Sequence, residues 1–314
     1  MHVELVVPAL FAPPAQSSPG LELLLARGRR ARAERGSLED WLVRAFGLEC
    51  PAPAGALTAL AAGEDPGGKT WLRADPVHLR ADRDHAVLVP NEALEISDEE
   101  AKALAVALAP LLAGRFTLFT PRAREWCLRV DEGDASGAGT KAPIDLAGAD
   151  VDSNLPARHW HTLLTEIQMA LYDHPVNTKR EEHSQPVVNS LWLWGGGALP
   201  AAAHGPWHSV SADSAVAQGL ARLAQTRHRT PGAGAAEWLE RAPEEGRHLV
   251  VLDARSETAL EERWFAPLLA ALKAQRVSML TVHVPESGLS IETTRADLRR
   301  FWKRPRPLAT WADA

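Results

Sequence analysis

Residues Val187–Gly197 read VVNSLWLWGGG, an apolar run that ends in three glycines. Its β-branched and aromatic residues favour a strand at Val187–Leu193, and the glycines leave the backbone at the strand's carboxyl end open to a ligand. In open α/β sheets ligands bind at that end. No GxGxxG or GxxxxGK[ST] pattern follows, and a turn packed beside Trp192 and Trp194 explains the glycines equally well. The stretch therefore predicts a buried strand whose glycines form either a ligand loop or a packing turn.

Strands and helices alternate along the chain beyond this stretch. The apolar pattern predicts strands at Trp207–Ala212, His248–Leu252 and Val277–Val284, with helices at Ala215–Gln225 and Thr258–Gln275 between them. Strands that are separated by helices of about a dozen residues form parallel crossover connections. The sequence therefore predicts an α/β fold whose C-terminal half is a three-layer, mainly parallel sheet.

The N-terminal half has a mixed α/β pattern. Val3–Val7 is a short apolar run ended by Pro8, and it predicts the first strand. Two further short runs, Val77–Arg80 and Ala86–Val89, predict a hairpin over residues 77–89.

A change of composition suggests how the chain is divided. The stretch Asp131–Ser153 is rich in Gly, Ala and Asp, which is typical of a linker. We therefore expect residues 1–150 to form a mixed α/β part and residues 151–314 to form the sheet part. The length is that of one large α/β unit, so we expect the two parts to be continuous.

Charge is nearly balanced over the whole chain. The 314 residues include 34 Lys and Arg against 40 Asp and Glu, which gives a formal charge of -6. This balance argues against a protein that bulk charge holds to DNA or to a membrane. The basic runs Arg27–Arg35 and Arg299–Arg306 are short and are typical of a solvated helix face or tail. We do not expect a nucleic-acid partner, although contact through Arg27–Arg35 is an alternative.

Cysteine usage and hydropathy bear on the compartment. Two cysteines, Cys50 and Cys127, cannot form a disulfide framework, so a reducing environment is expected. The longest apolar stretch, Ala103–Ala113, is shorter than the roughly 20 residues of a membrane span. The sequence therefore predicts a soluble, cytoplasmic protein with no membrane partner.

Polar residues that could carry chemistry are concentrated in Trp71–Asp84, WLRADPVHLRADRD. Guanidinium groups clamp oxyanions through two hydrogen bonds, and Asp and His ligate divalent metals, so the segment could form an anion or metal site. The alternative is a hairpin whose Asp and Arg side chains pair with each other and with turn amides.

The sequence His159-Trp160-His161 provides two more imidazoles. Residues two apart on a helix do not share a face, so His159 and His161 cannot chelate one metal ion together. They would need ligands from elsewhere in the fold, such as Asp75 and His78. The alternative is that both are structural histidines beside the first turn of a helix.

Three motifs carry a resemblance to a known family: WLRADPVHLRADRD, HWHTLLTEIQMALYDHPVN (His159–Asn177) and NSLWLWGGG (Asn189–Gly197). They resemble the signatures of bacterial proteins described either as cofactor-independent phosphoglycerate mutase-like or as regulatory proteins of the Rpf type. The resemblance covers most of the chain, from the first strand to the last helix. It implies a scaffold like that of alkaline phosphatases.

The resemblance also implies what a mutase would require. Such mutases hold two divalent metals with several Asp and His ligands, and they use a Ser nucleophile near an early Asp-Gly motif. The first strand, Val3–Val7, contains no Asp, and the late strand ends His283-Val284-Pro285 without the Asp-His pair. We therefore do not expect mutase catalysis.

These observations lead to two functional hypotheses. The first is a protein that binds a small anionic ligand or a protein partner and has no cofactor and no assigned catalytic residue. Its candidate ligand-binding residues are Arg73, Asp75, His78, Arg80, Asp82, Asn189, Ser190, Gly195, Gly196 and Gly197. The second is a metal-dependent phosphoryl-transfer enzyme of the phosphoglycerate mutase or phosphatase type, with Mn or Mg. Its candidate metal ligands are Asp75, His78, His159 and His161.

Overall fold

The chain is divided into two compact units. The computed structural model describes residues 1–12, 17–82, 85–133, 136–139, 141–147, 151, 154–243, 245–255 and 259–311, with only the backbone at 81, 82 and 85. The first unit combines residues 1–48 with 202–314, and the second unit is residues 49–201. The boundary expected near residue 150 lies inside the second unit, which is an insertion within the first.

Strands and helices alternate irregularly along the chain. The strands are β1 (His2–Val6), β2 (Arg29–Arg32), β3 (Thr70–Asp82), β4 (His85–Val89), β5 (Phe116–Arg122), β6 (Glu125–Val130), β7 (Ser190–Ala198), β8 (Ser209–Ser211), β9 (Arg227–Arg229), β10 (Arg247–Val251), β11 (Met279–Val284) and β12 (Leu289–Thr294). The helices are α1 (Pro19–Arg27), α2 (Leu38–Ala45), α3 (Ala54–Ala62), α4 (Asp98–Leu112), α5 (His161–Tyr172), α6 (Pro175–Glu182), α7 (Ala215–Leu223), α8 (Ala235–Arg241) and α9 (Ala266–Lys273). No described helix is both long enough and apolar enough to cross a membrane.

The first unit contains a seven-stranded sheet of order β2-β12-β11-β1-β10-β8-β9. Strands β11, β1, β10, β8 and β9 are parallel, and β12 and β2 are antiparallel additions at one edge. The prediction of a mainly parallel α/β sheet is confirmed, although strand β7 of the C-terminal half lies outside it, in the second unit. The centre of the sheet is the N-terminal strand β1, whose Val3, Leu5 and Val6 are completely buried.

Helices cover both faces of this sheet. On one face α1, α8 and α9 pack their apolar side chains against Val3 and Leu5 in a single core cluster. On the other face the Trp41 ring of α2 lies 4.8 Å from the His283 ring of β11. Helix α7 packs against α2 on that side, which completes the three layers.

The first basic run does not continue a helix. Helix α1 ends at Arg27, and residues Arg29–Arg32 form the exposed edge strand β2, paired with β12. The residue between them is Gly28, where a Cβ atom would lie 2.5 Å from Ile291 Cγ2. Glycine therefore lets the chain pass closely over β12 and turn into a strand.

The second unit is built on an antiparallel sheet. Its order is β4-β3-β6-β5, and β7 pairs with the other side of β3. Strands β3 and β4 form a hairpin in which His78 lies opposite Val89. Helices α4 and α5 bury Leu104, Leu108 and Ile167 in one core cluster with residues of the sheet. Ser97 and Glu100 form a capping box at the start of α4.

The glycines of VVNSLWLWGGG lie inside a strand rather than beyond one. Strand β7 runs to Ala198, and Gly197 is paired with Trp71 of β3. The register shifts between Trp71 and Arg73, and Gly195 has a φ of 59° at this point. The extra residue forms a β-bulge, which glycine permits because it can adopt the left-handed conformation.

Candidate functional site

The two segments singled out in the sequence are neighbours in the sheet. In the register of β3 and β7, Asp75 lies opposite Trp192 and Val77 lies opposite Ser190. Paired antiparallel strands hold opposite Cα atoms about 5 Å apart. The fold therefore brings the Asp75–Asp82 segment and the Asn189–Gly197 segment together.

The most prominent pair in these segments, Arg73 and Asp75, is sealed inside the unit. The two residues are 4% and 1% exposed. Asp75 Oδ1 accepts from Arg73 NH2 at 2.6 Å and from the backbone N–H of Trp126 at 3.2 Å. Asp75 Oδ2 accepts from the indole Nε1 of Trp194 at 2.7 Å. Both carboxylate oxygens are occupied, so the pairing alternative describes Arg73 and Asp75 in this structure.

Burial and pairing act in opposite directions on these two groups. Burial raises the pKa of the Asp75 carboxyl, while Arg73 and the Trp194 N–H lower it. Burial alone would lower the pKa of Arg73, but the charges of Asp75 and Glu125 raise it above its usual value. Removing either partner would leave a buried charge without compensation.

Asn189 and Ser190 contribute to the sheet itself. The Asn189 side chain accepts from the backbone N–H of Leu79 at 2.7 Å and donates to the carbonyl of Leu79 at 2.8 Å. It extends the ladder of β3 beyond the end of β7. Ser190 is 1% exposed on β7.

The remaining candidates of the β3 hairpin differ in exposure. His78 Nδ1 donates to the carbonyl oxygen of Val187 at 3.0 Å, while Arg80 is exposed. The side chain of Asp82 lies outside the described residues. Of the two described side chains, that of Arg80 is open to solvent and that of His78 is half-buried.

The two imidazoles of the HWH motif make local contacts. The His159 ring packs on the Trp160 ring with 5.3 Å between centroids, and His161 Nε2 donates to the carbonyl oxygen of Pro156 at 2.9 Å. Within the described ranges, no group of three or more His, Cys, Asp or Glu residues is placed to hold a metal ion. The alternative metal set of Asp75, His78, His159 and His161 is therefore not assembled.

A polar cavity of about 640 Å³ lies on the second unit. It is lined by Pro51, by Gly195–Gly197, by the turn at Gly68–Thr70 and by residues 130–133 and 136–139, and seven of these residues are glycines. Lys69 is an exposed cation in this lining. Lys69 was not among the candidate residues, although a Lys after two glycines, in EDPGGK (Glu64–Lys69), was the available signal.

The cavity lining also contains two acidic residues, Asp131 and the exposed Glu132, of which Asp131 is paired. Asp131 accepts from Thr117 Oγ1 at 2.5 Å and from Arg129 Nε at 2.7 Å. These hydrogen bonds lower the pKa of Asp131. The charge of Asp131 is therefore balanced by Arg129, and the exposed charges of the lining are those of Lys69 and Glu132.

Two of the cavity's glycines are also required by packing. A Cβ atom on Gly195 would lie 2.6 Å from the Cβ of Ala54, and one on Gly196 would lie 2.5 Å from Leu72 Cδ2. The close approach of β7 to α3 and β3 therefore explains both positions, whatever occupies the cavity.

The carboxyl edge of the parallel sheet in the first unit is the other position where α/β proteins bind ligands. Here β1 leads into Val7 and Pro8, and three acidic residues follow other strands: Asp213, Asp253 and Glu286. The oxygens of Asp253 accept from Arg255 Nε and NH2, each at 2.9 Å. The sequence places Asp213 at a helix cap, and it gave no prediction for Asp253 and Glu286, although both follow predicted strands.

The Glu286 side chain forms a hydrogen bond with the backbone at the same edge. Its Oε1 accepts from the N–H of Ala9 at 3.1 Å. This contact ties the segment after β11 to the segment after β1.

A second buried carboxylate lies in the middle of the first unit's sheet. Glu4 is 3% exposed, and its Oε1 accepts from Arg247 Nε at 2.8 Å. His283 Nε2 lies 3.4 Å from Glu4 Oε2. Burial would raise the pKa of Glu4, but His283 and Arg247 lower it to about 2.

Comparison with curated proteins identifies distant relatives of this chain. The 2,3-bisphosphoglycerate-independent phosphoglycerate mutase of Methanosarcina mazei is 32% identical over 138 residues, which cover 41% of this chain and 34% of that protein. The protein of the same name from Methanosarcina barkeri is 30% identical over 138 residues. The chain is a distant homologue of the cofactor-independent phosphoglycerate mutases. It spans about a third of the length of the curated relatives it matches. No family model matches it.

Solved structures are similar to this mutase homologue at low sequence identity, and one of them shares its fold. The PH0037 protein of Pyrococcus horikoshii has a TM-score of 0.56 at 14% identity, over 93% of this chain and 87% of that one. The cofactor-independent phosphoglycerate mutase of Thermoplasma acidophilum has a TM-score of 0.47 at 19% identity, over 99% and 94% of the two chains.

The homology corrects the expectation about cofactors. The prediction of no cofactor is wrong, because the homologues are cofactor-independent mutases, which use a divalent metal, Mn, in the active site. The residues described at the carboxyl edge do not fit such a centre, since Asp253 is held by Arg255 and Glu286 by a backbone amide. We therefore assign no catalytic step to a metal in this chain.

Proposed function

We propose that this mutase homologue binds a small anionic ligand in the cavity of the second unit and does not catalyse the reaction of its relatives. The observation that carries the proposal is the polar cavity of about 640 Å³ with Lys69 in its lining. Small-molecule sites have volumes of roughly 300–1,000 Å³, so the cavity has the size of a metabolite site.

The lining favours a ligand with both an anionic group and hydroxyl groups. The ammonium group of Lys69 attracts a phosphate or carboxylate, and the Thr70 and Ser136 residues of the lining carry hydroxyls. Carbonyl groups of the glycine segments can accept hydrogen bonds from ligand hydroxyls. A small phosphorylated hydroxy acid has this combination, and phosphoglycerate is therefore the first probe.

Residues at the carboxyl edge of the first unit's sheet support the proposal that the chain has no mutase activity. Asp253 is engaged by a guanidinium group, and Glu286 by a backbone amide. A two-metal phosphoryl transfer requires carboxylates free to bring two ions within roughly 4 Å of each other. A regulatory role, with a protein partner that responds to the bound ligand, is part of the same proposal.

Calorimetric titration of the full chain with 3-phosphoglycerate and with inorganic phosphate, each with and without Mn²⁺, tests the binding. We expect Lys69→Gln to weaken binding of 3-phosphoglycerate roughly tenfold or more, because a charge-assisted hydrogen bond is lost. Gly68→Val should also weaken binding, because the added side chain would occupy part of the cavity that Gly68 lines. No described atom beyond the adjacent residues lies within 4 Å of a Cβ atom at this position, so we expect the fold to be unchanged. Lys102→Gln, an exposed lysine on α4, is the matched control. Equal affinity in Lys69→Gln and the control would refute the cavity as the site.

The alternative is phosphoryl transfer, which the homology favours. Its test is turnover of phosphoglycerate and of phosphomonoesters with Mn²⁺, in the wild type and in Asp253→Asn and Glu286→Gln. Turnover that either substitution abolishes would replace the binding proposal with an enzyme. We expect no turnover above that of the buffer with Mn²⁺.

A further inference from the structure

The two basic runs of the sequence lie side by side on the first unit. Arg300 NH1 donates to the carbonyl oxygen of Arg27 at 3.0 Å, and Arg27 donates in return to the carbonyl of Leu298. The guanidinium group of Arg30 lies over the Trp311 ring, 4.2 Å from its centroid. Residues about 270 positions apart in the chain therefore form one surface, which we call the basic surface: strand β2 and residues 299–306.

The charges on this surface are close enough to affect each other. Burial lowers the pKa of Arg30, and the charges of Arg306 and Arg32 lower it further. Two acidic residues lie at its border, where Glu292 pairs with Arg29 at 2.9 Å and Asp297 pairs with Arg300 at 2.7 Å.

The cations beyond those two ion pairs are open to solvent. The exposed basic residues of the surface include Arg30, Arg32, Arg299, Lys303, Arg304 and Arg306. Their number exceeds that of the bordering acids, so a protein with a formal charge of -6 carries a concentrated positive surface.

Two exposed aromatic rings belong to residues 299–306 of this surface. Phe301 is 78% exposed and Trp302 is 66% exposed, and the rings contact edge to face with centroids 5.3 Å apart. Arg300 and Lys303 flank them in the chain. Large aromatic side chains are costly to leave in water, so an exposed pair between cations indicates a binding surface.

We propose that the basic surface binds single-stranded nucleic acid, with arginines on the phosphates and with bases stacked on Phe301 and Trp302. Such sites combine a positive track for the backbone with aromatic rings that stack bases of any sequence. Arg30 and Arg32 are two apart in a strand, so their side chains leave the same face about 6.6–6.8 Å apart. That repeat suits successive phosphates of an extended strand. The inference concerns residues outside the ligand cavity and goes beyond the proposed function.

The local structure favours nucleic acid over an anionic lipid surface. Interfacial membrane binding uses an amphipathic helix with a broad apolar face. Residues 301–307 form turns and irregular structure, and their exposed apolar residues besides prolines are Phe301 and Trp302. Arginine also predominates over lysine in residues 299–306, and its planar guanidinium group both pairs with phosphate and stacks on bases.

Fluorescence anisotropy of labelled oligo(dT) and oligo(U) with the full chain tests the proposal. We expect affinity to fall steeply with salt. Trp302→Ala should weaken binding roughly 5- to 150-fold through loss of base stacking. The triple variant Arg32→Gln, Arg304→Gln and Arg306→Gln should reduce the slope of log affinity against log salt by about 2, since each phosphate contact on a single strand contributes about 0.7.

Matched controls remove the same groups elsewhere. Lys102→Gln, Lys179→Gln and Lys273→Gln together remove three exposed charges, and Tyr172→Ala removes an aromatic side chain that is 80% exposed. We expect both controls to bind like the wild type. Every substituted residue is exposed, so far-UV circular dichroism should be unchanged in all variants.

Three results would overturn the proposal. The first is that no oligonucleotide binds at low salt. The second is that the basic-surface variants and the controls lose equal affinity for the oligonucleotides. The third is that the protein binds phosphatidylserine vesicles but no oligonucleotide. The last result would identify an anionic membrane as the partner.

Discussion

Asp75 and Glu4 are both buried carboxylates on central strands that pair with arginine, yet their surroundings differ. The Arg73 side chain that holds Asp75 is 5% exposed, and an indole N–H covers the other oxygen. The Arg247 side chain that holds Glu4 is 45% exposed, and the rings of His283 and His2 lie 3.4 Å and 3.8 Å from the same carboxylate. The first pair is sealed from water, and the second has a path to solvent.

This difference indicates which buried charges contribute only to folding stability. A sealed pair cannot exchange partners with water or with a ligand, so its loss appears as lost stability. A pair with a solvent-exposed partner and a histidine neighbour responds to pH, because the proton equilibrium of the carboxyl depends on the folded structure. The following experiments test this contrast.

The largest effect is expected for the sealed pair. Asp75→Ala leaves the Arg73 guanidinium buried without its closest carboxylate, and we expect a loss of about 3–5 kcal/mol in the free energy of unfolding. Urea unfolding measures the loss, and hydrogen exchange locates it in peptides of β3, β6 and β7. The double variant Arg73→Met with Asp75→Leu should recover most of it. A loss equal to that of the exposed control Asp173→Ala would contradict a sealed pair.

A smaller effect is expected for Glu4, and it depends on pH. The folded pKa of about 2 is below the ordinary value of 4.5, so this stability is present above pH 4.5 and is lost as the pH falls toward 2. The difference corresponds to about 3 kcal/mol. Urea unfolding of the wild type and Glu4→Gln across this range should show curves that converge at low pH. Parallel curves would show that Glu4 is not coupled to folding.

The smallest effect is expected for the indole that completes the sealed pair. Trp194→Phe removes the N–H that donates to Asp75 Oδ2 and keeps most of the ring. We expect a loss of about 2 kcal/mol in the free energy of unfolding, because the carboxylate loses one charge-assisted hydrogen bond. Trp192→Phe on the same strand is the control, since its indole donates to the carbonyl of Lys141 instead. A larger loss in the control would show that the hydrogen bond from Trp194 does not account for the stability of the pair.

Local signals in the sequence predicted local structure well. Ser37 and Ser97 are residues of the type that caps helices, and each side chain accepts a hydrogen bond from the backbone N–H three residues later. The hairpin over residues 77–89 follows from two short apolar runs around a polar turn. Each of these features depends on contacts within a few residues, so the sequence window contains the cause.

The candidate site was predicted less completely. The sequence singled out Asp75 and Asn189 as polar groups in apolar strands, but their partners Trp194 and Leu79 are more than 100 residues away. It also left open whether Gly195 served a ligand or packing, because the neighbour at that position, Ala54, belongs to another helix. No window of the chain contains these distant contacts.

The sequence alone predicts most of the helices and strands. Apolar periodicity, caps and turn residues act over a few positions, so a short window of sequence contains the signal. Only the tertiary structure decided that Arg73 and Asp75 face inward, and that residues 49–201 form an inserted unit. It also decided that Arg29–Arg32 and residues 299–306 share one surface. The reason is that pairing across the sheet and the clustering of charges depend on residues about 120 to 270 positions apart. The net charge of -6 is a sum over the whole chain and does not show such a cluster.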